Sequence, residues 1–155
     1  MNNTFKFIIC ILIPEIVGGI SGFLTFNGIK SWYSTLHKPV FNPPNFLFGP
    51  VWTLLYLLMG VSLYMIWNQP AGQKRTRALL IFGVQLFLNF WWSIIFFNLK
   101  SPGIAMFEIV FLLISIIWMI LAMKQVKPAA AWLQVPYLLW VAFASTLNAA
   151  IWILN

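Results

Sequence analysis

Aspartate is absent from the 155 residues, glutamate occurs only as Glu15 and Glu108, and histidine only as His37. A Ser-His-Asp hydrolase and a carboxylate-rich nuclease centre are excluded, because neither can be assembled from these side chains. Cysteine occurs once, as Cys10 in an apolar run, so there is no intrachain disulfide framework and no signal of redox compartment. Charged residues make up 7% of the chain, against roughly 25% in a typical soluble domain. A soluble fold could not cover its surface with so few charges, so the solvent for most of the chain is lipid. The net charge of +7 is scattered among short connections, with no basic face interleaved with aromatics, so no nucleic-acid partner is expected.

What the chain does have is apolar length and aromatic rings: 62% hydrophobic residues, 18% aromatic, nine of them Trp. Five runs reach the about 20 apolar residues that a membrane-crossing helix needs: 5–29, 46–67, 78–99, 104–123 and 129–154. The expected fold is an all-α membrane protein, a five-helix bundle forming one domain over 1–155, with antiparallel neighbours because the connections are short. The runs lack the alternation of strands, and no internal repeat marks an inverted-repeat transporter. The first run, preceded by Lys6, reads as a retained signal anchor. Lys6, Lys74, Arg75, Arg77, Lys124 and Lys127 fall on one side, and Lys30, Lys38 and Lys100 on the other. That asymmetry predicts a cytoplasmic amino terminus.

The connection over 30–45 holds Trp32, Tyr33, Pro39, Phe41, Pro43 and Pro44. Its prolines forbid a continuous helix and stiffen it, and its aromatics give it something to pack on a bundle. A rigid cap is one reading, and an interfacial aromatic belt with a proline-rich linker is the other. The run from Trp32 to Tyr56, WYxxLxKPxxxPPxxxFxPVWxxLY, resembles the TspO/MBR family of tryptophan-rich sensory proteins and translocator proteins. Further matches are Gln85, Leu88, Asn89, Trp92, Phe96 and Phe97 on the third run, and Pro136, Tyr137, Trp140, Phe143, Leu147 and Asn148 on the fifth. The resemblance implies a five-helix membrane bundle that binds porphyrins and synthetic benzodiazepine-site ligands in a pocket closed by the first loop. It also implies light-dependent porphyrin degradation for some members, or a sensory or regulatory role in tetrapyrrole handling.

Helical spacing points to a pocket independently, since residues three, four, seven or eleven apart share a face. Trp52 aligns with Tyr56, Gln85 with Asn89, Trp92 and Phe96, and Tyr137 with Trp140, Ala144 and Asn148. At about 1.5 Å per residue these stripes converge beneath the first loop. With Ser93, with Gly22 as a wall on the first helix, and with Trp32, Tyr33 and Pro43 in the loop, they are the candidate ligand-binding residues. Taken singly, each aromatic reads as packing and each amide as interhelical glue. Taken together, polar amides beside flat rings on three helices suit a flat hydrophobic ligand. For Gly18 and Gly22, helix packing is the favoured role.

Glu15 lies near the centre of the first run with no Lys or Arg at its depth, where burial favours its neutral form; it is a functional candidate by default, or else a protonated, hydrogen-bonded structural residue. It supports the alternative of a proton-coupled small multidrug exporter; a transporter of porphyrins or other hydrophobic ligands is a further alternative. Glu108, one turn inside the fourth run, is expected to snorkel to the interface. His37 reads as a solvated loop residue, so no metal site is expected, and a metal-free porphyrin, as ligand or substrate, suits the inventory better than haem. Trp52 and Trp140 are the candidate photochemical residues, and no obligatory cofactor is expected. No Lys or Arg follows Lys127, so the sterol-recognition pattern of animal members is missing. That absence, and the lack of a basic tail after Asn155, point to a bacterial-type member in the plasma membrane. Small-residue helix faces make a homodimer the expected assembly.

Overall fold

Every apolar run is helical in the structure, a computed structural model describing residues 1–155, and no strand is present. Helix α1 spans Asn3–Ser31, α2 Phe48–Trp67, α3 Gln73–Ser93 and α4 Pro102–Lys124; the fifth span is α5, Pro128–Trp132, followed by α6, Val135–Leu154. Five spans are long and apolar enough to cross a membrane. In lipid the backbone must satisfy its own hydrogen bonds, which leaves helix as the form for such runs.

Most helix ends fall within two residues of the apolar runs, and two features depart further. Helix α3 starts at Gln73, so Lys74, Arg75 and Arg77 lie in its first turns rather than in the connection. Helical hydrogen bonding continues past the apolar stretch, and Arg75 Nη1 donates to the Gln69 carbonyl at 2.8 Å. The fifth span is interrupted at Leu133 and Gln134. Pro136 has no N–H to give the carbonyl of Trp132, and its ring disfavours helix in the turn before it.

Proline also shapes the contact between α1 and α2. Pro14 sits inside α1 and leaves the Cys10 carbonyl without its usual donor four residues on. Gly60 of α2 approaches at this level, where a Cβ would stand 2.8 Å from that carbonyl oxygen and 2.7 Å from Ile11 Cα. Only glycine admits so close a crossing.

The interior is packed unevenly along the bundle. The main core joins Met59, Leu63 and Ile66 of α2, Ile81 and Phe82 of α3, and Ile116, Met119 and Met123 of α4 with Ala130, Ala131 and Val141. These residues occupy the end remote from the 30–47 connection. At the loop end the separate apolar cluster is small: Tyr33, Phe96, Ala105 and Ile151. The bundle is therefore solid at one end and hollow at the other.

Glu108 corrects one expectation. It lies three residues after Ala105 and four before Leu112, both buried, so it shares the inward stripe of α4. Both carboxylate oxygens are buried and have no hydrogen-bond partner. The side chain points into the bundle instead of reaching the interface; its neighbours Phe107 and Phe111 take the lipid-facing positions.

Candidate functional site

The hollow end is roofed by the connection between α1 and α2. Its prolines confine helix to single 3-10 turns at Tyr33–Thr35 and Asn45–Leu47. Tyr33 donates its hydroxyl to Asn42 Oδ1 at 3.0 Å, and Lys38 Nζ stands 4.7 Å from the centre of the Tyr33 ring. The Asn155 side chain makes two bonds to the His37 backbone, accepting from its N–H at 2.9 Å and donating to its carbonyl at 2.9 Å. Phe41 packs edge-on against Phe143 of α6. The loop is thereby pinned to the end of α6.

Beneath it lies a cavity of about 600 Å³. Helix α1 supplies a stripe at helical spacing, Glu15, Gly18, Gly22, Thr25 and Ile29, with Gly19, Ser21 and Phe26 beside it. Helix α2 contributes Phe48, Gly49, Trp52, Thr53 and Tyr56, and α6 contributes Trp140, Ala144, Leu147, Asn148 and Ile151. The fourth wall comes from the end of α3, which continues as a π-helical turn over Ile94–Asn98. The wider turn sets Trp92 with Phe96 and Ser93 with Phe97 on one wall. Gly19, Gly22 and Gly49 line the cavity and are also exposed, so the wall between α1 and α2 is thin. Gly18 has a different part: a Cβ there would run into the Tyr56 ring, which is seated against α1.

The rings are ordered by one another. Trp52 stacks on Tyr56 with centroids 5.5 Å apart and an interplanar angle of 28°. Trp92 lies 5.3 Å from Phe96, and Trp140 6.0 Å from Phe48. The Trp92 indole donates to Asn148 Oδ1 at 3.0 Å, and Asn148 Nδ2 donates to the Pro102 carbonyl at 2.7 Å. Those polar groups are committed within the protein. The Trp140 indole nitrogen is buried and has no partner.

Of the candidate ligand-binding residues, Gly22, Tyr33, Trp52, Tyr56, Trp92, Ser93, Trp140, Ala144 and Asn148 line the cavity. Gln85, Asn89 and Tyr137 do not. They lie one step further from the loop, where the helices close together, and are 0%, 2% and 0% exposed. Tyr56 donates to Asn89 Oδ1 at 2.7 Å, Asn89 Nδ2 donates to the Tyr137 hydroxyl at 2.9 Å, and that hydroxyl donates to Gln85 Oε1 at 2.8 Å. This chain of side chains forms the floor. Trp32 lines a separate surface cleft with Lys100 and Trp152. Pro43 stays in the loop, its carbonyl accepting from Asn42 Nδ2 at 3.0 Å.

Several lining residues were legible but not singled out. Thr25 and Ile29 continue the α1 stripe from Gly22, and Leu147 and Ile151 continue the α6 stripe from Ala144, at helical spacing. Phe97, four residues after Ser93, shares its face and lines the same wall.

The sequence profile of the TspO/MBR family matches residues 10–153. The chain belongs to this family. It is 42% identical over 154 residues to the tryptophan-rich protein TspO of Archaeoglobus fulgidus, covering 99% of both chains. It is 37% identical over 134 residues to the human translocator protein, covering 85% of this chain and 79% of the human one. Protein CrtK of Rhodobacter capsulatus is 33% identical over 126 residues, 81% of this chain and 79% of that protein. All the cavity residues of this TspO/MBR protein, Glu15 to Ile151, fall inside the matched segment.

Proposed function

We propose that this TspO/MBR protein binds porphyrins, protoporphyrin IX first among them, and benzodiazepine-site compounds in the cavity under the 30–47 connection. Bound porphyrin is then degraded in light with dissolved dioxygen as the oxidant: the excited ring takes one electron from the Trp52 or Trp140 indole, leaving an indole radical cation and a porphyrin radical anion that dioxygen oxidises. The observation that carries the reading is a cavity of about 600 Å³ with Trp52, Trp92 and Trp140 in three of its walls. The volume lies within the roughly 300 to 1,000 Å³ of small-molecule sites, and a mostly apolar lining with few polar groups suits a flat aromatic ligand. His37 is exposed and outside the cavity, so the walls offer no imidazole, and a metal-free porphyrin requires none. The protein is a multi-pass membrane protein; residence in the plasma membrane, a cytoplasmic amino terminus and a homodimer complete the proposal.

The test is a titration of purified protein in lipid nanodiscs with protoporphyrin IX, in the dark and under illumination. Saturable quenching of tryptophan fluorescence is expected in the dark, followed in light by loss of porphyrin absorbance faster than for free porphyrin in empty nanodiscs. Trp140→Phe slows that loss. Non-saturable quenching refutes the binding, and an unchanged decay in Trp140→Phe refutes the role of that indole.

A further inference from the structure

Glu15 is the one acidic side chain in the cavity wall, and no Lys, Arg or His lines it. It stands one turn before Gly18, beside the ring of Tyr56 that is seated there, and therefore marks the inner end. The Tyr56 hydroxyl, in the floor, is committed to Asn89 at 2.7 Å. The chain itself supplies no counter-charge to this carboxylate. Trp52 and Tyr56, stacked on one another, add aromatic faces to the same end. A carboxylate beside aromatic faces attracts cations twice over, through its charge and through the ring quadrupoles.

The opposite end differs. From Glu15 to Ile29 the α1 wall rises about 21 Å at 1.5 Å per residue, and the roof there is Tyr33, with the Lys38 ammonium over its ring at 4.7 Å. The field along the cavity thus runs from negative at the floor to positive at the roof.

We infer that Glu15 makes the inner end of the cavity a cation subsite, so that the cavity selects flat aromatic ligands bearing a protonated nitrogen over anionic ligands of the same shape. The ligand supplies the counter-charge that the protein withholds. The same field orients any porphyrin carboxylates toward the loop and away from Glu15. The inference rests on the proposed binding site and names a ligand class for it.

Two acridines of one ring size test it: proflavine, a cation at neutral pH, and acridine-9-carboxylate, an anion. Each is titrated by tryptophan quenching into the protein in nanodiscs of zwitterionic lipid, with empty nanodiscs as control. The cation is expected to bind at least about tenfold tighter, as one incompletely screened charge contact implies. Glu15→Gln should bring the two affinities within about twofold, while Glu15→Asp keeps the preference. Equal affinities in the unsubstituted protein overturn the inference, and so does a preference that survives Glu15→Gln. Protoporphyrin dimethyl ester, which has no charge for Glu15 to sense, is titrated into every variant to report an intact cavity. A Glu15-dependent preference without protoporphyrin binding leaves the subsite standing and removes the porphyrin reading. Protoporphyrin binding with equal acridine affinities removes the subsite alone, and failure of every ligand removes both.

Discussion

Removing the Tyr137 hydroxyl separates a structural floor from a ligand contact. The ring is fully buried in α6, accepts from Asn89 Nδ2 at 2.9 Å and donates to Gln85 Oε1 at 2.8 Å. Tyr137→Phe keeps the ring and deletes both bonds. Gln85 Nε2 already lacks a partner, so the substitution leaves that amide wholly unpaired. Interhelical side-chain bonds in membrane proteins contribute about 0.6 kcal/mol on average and about 1.7 at most. Two of them give an expected loss of about 1 to 3 kcal/mol. Tyr56→Phe removes only the bond to Asn89 Oδ1 and should cost about half as much. The pair should be non-additive, because both act through Asn89. Unfolding in mixed dodecylmaltoside and dodecyl sulfate micelles, followed by far-ultraviolet circular dichroism, reads these differences. Protoporphyrin affinity, read by tryptophan quenching, should stay within about threefold in Tyr137→Phe, since the ring is outside the cavity wall. Unchanged stability together with lost binding would refute the floor and return Tyr137 to the ligand.

Three further outcomes follow from local geometry. Gly18→Ala should destabilise the bundle by about 1 to 3 kcal/mol, as overpacking does, because its Cβ meets the Tyr56 ring; Gly19→Ala, facing open space, should change stability by under about 0.5 kcal/mol. Asn155→Ala deletes both side-chain bonds to the His37 backbone, and hydrogen exchange of the 36–42 amides should speed up while the core of α4 stays protected. Lys100 holds φ at 53°, a conformation that costs a non-glycine residue roughly 1 to 2 kcal/mol; Lys100→Gly should therefore raise the unfolding midpoint in the same micelle titration.

The spans were legible because lipid imposes one solution on a long apolar run, and the loop because three prolines within residues 39–44 exclude a helix. Cavity residues were legible where straight helical spacing holds: Trp52 with Tyr56, Trp140 with Ala144 and Asn148. The reading stopped where depth mattered. Spacing places Gln85, Asn89 and Tyr137 on the same faces as Trp92 and Trp140, and it does not say where along those faces the helices close together. Three polar groups that find one another at the closing point look, in sequence, the same as three aimed at a ligand. The π turn over Ile94–Asn98, and the inward stripe that takes Glu108 out of the interface, depend likewise on neighbours distant in sequence.

The floor also bears on what the cavity can do. Its space adjoins the loop at one end and the thin glycine-lined wall between α1 and α2 at the side, whereas toward the far end it meets Tyr56, Asn89, Tyr137 and Gln85, then a packed core. Passage of a ligand through the bundle would break the three side-chain bonds of that chain and separate residues of α2, α3 and α6 that are fully or almost fully buried. Binding, and chemistry on a bound ligand, require neither. The arrangement therefore favours a site that is filled and emptied from one half of the membrane over a channel or an alternating-access path. Glu15 lines the cavity at the point where space gives way to packing.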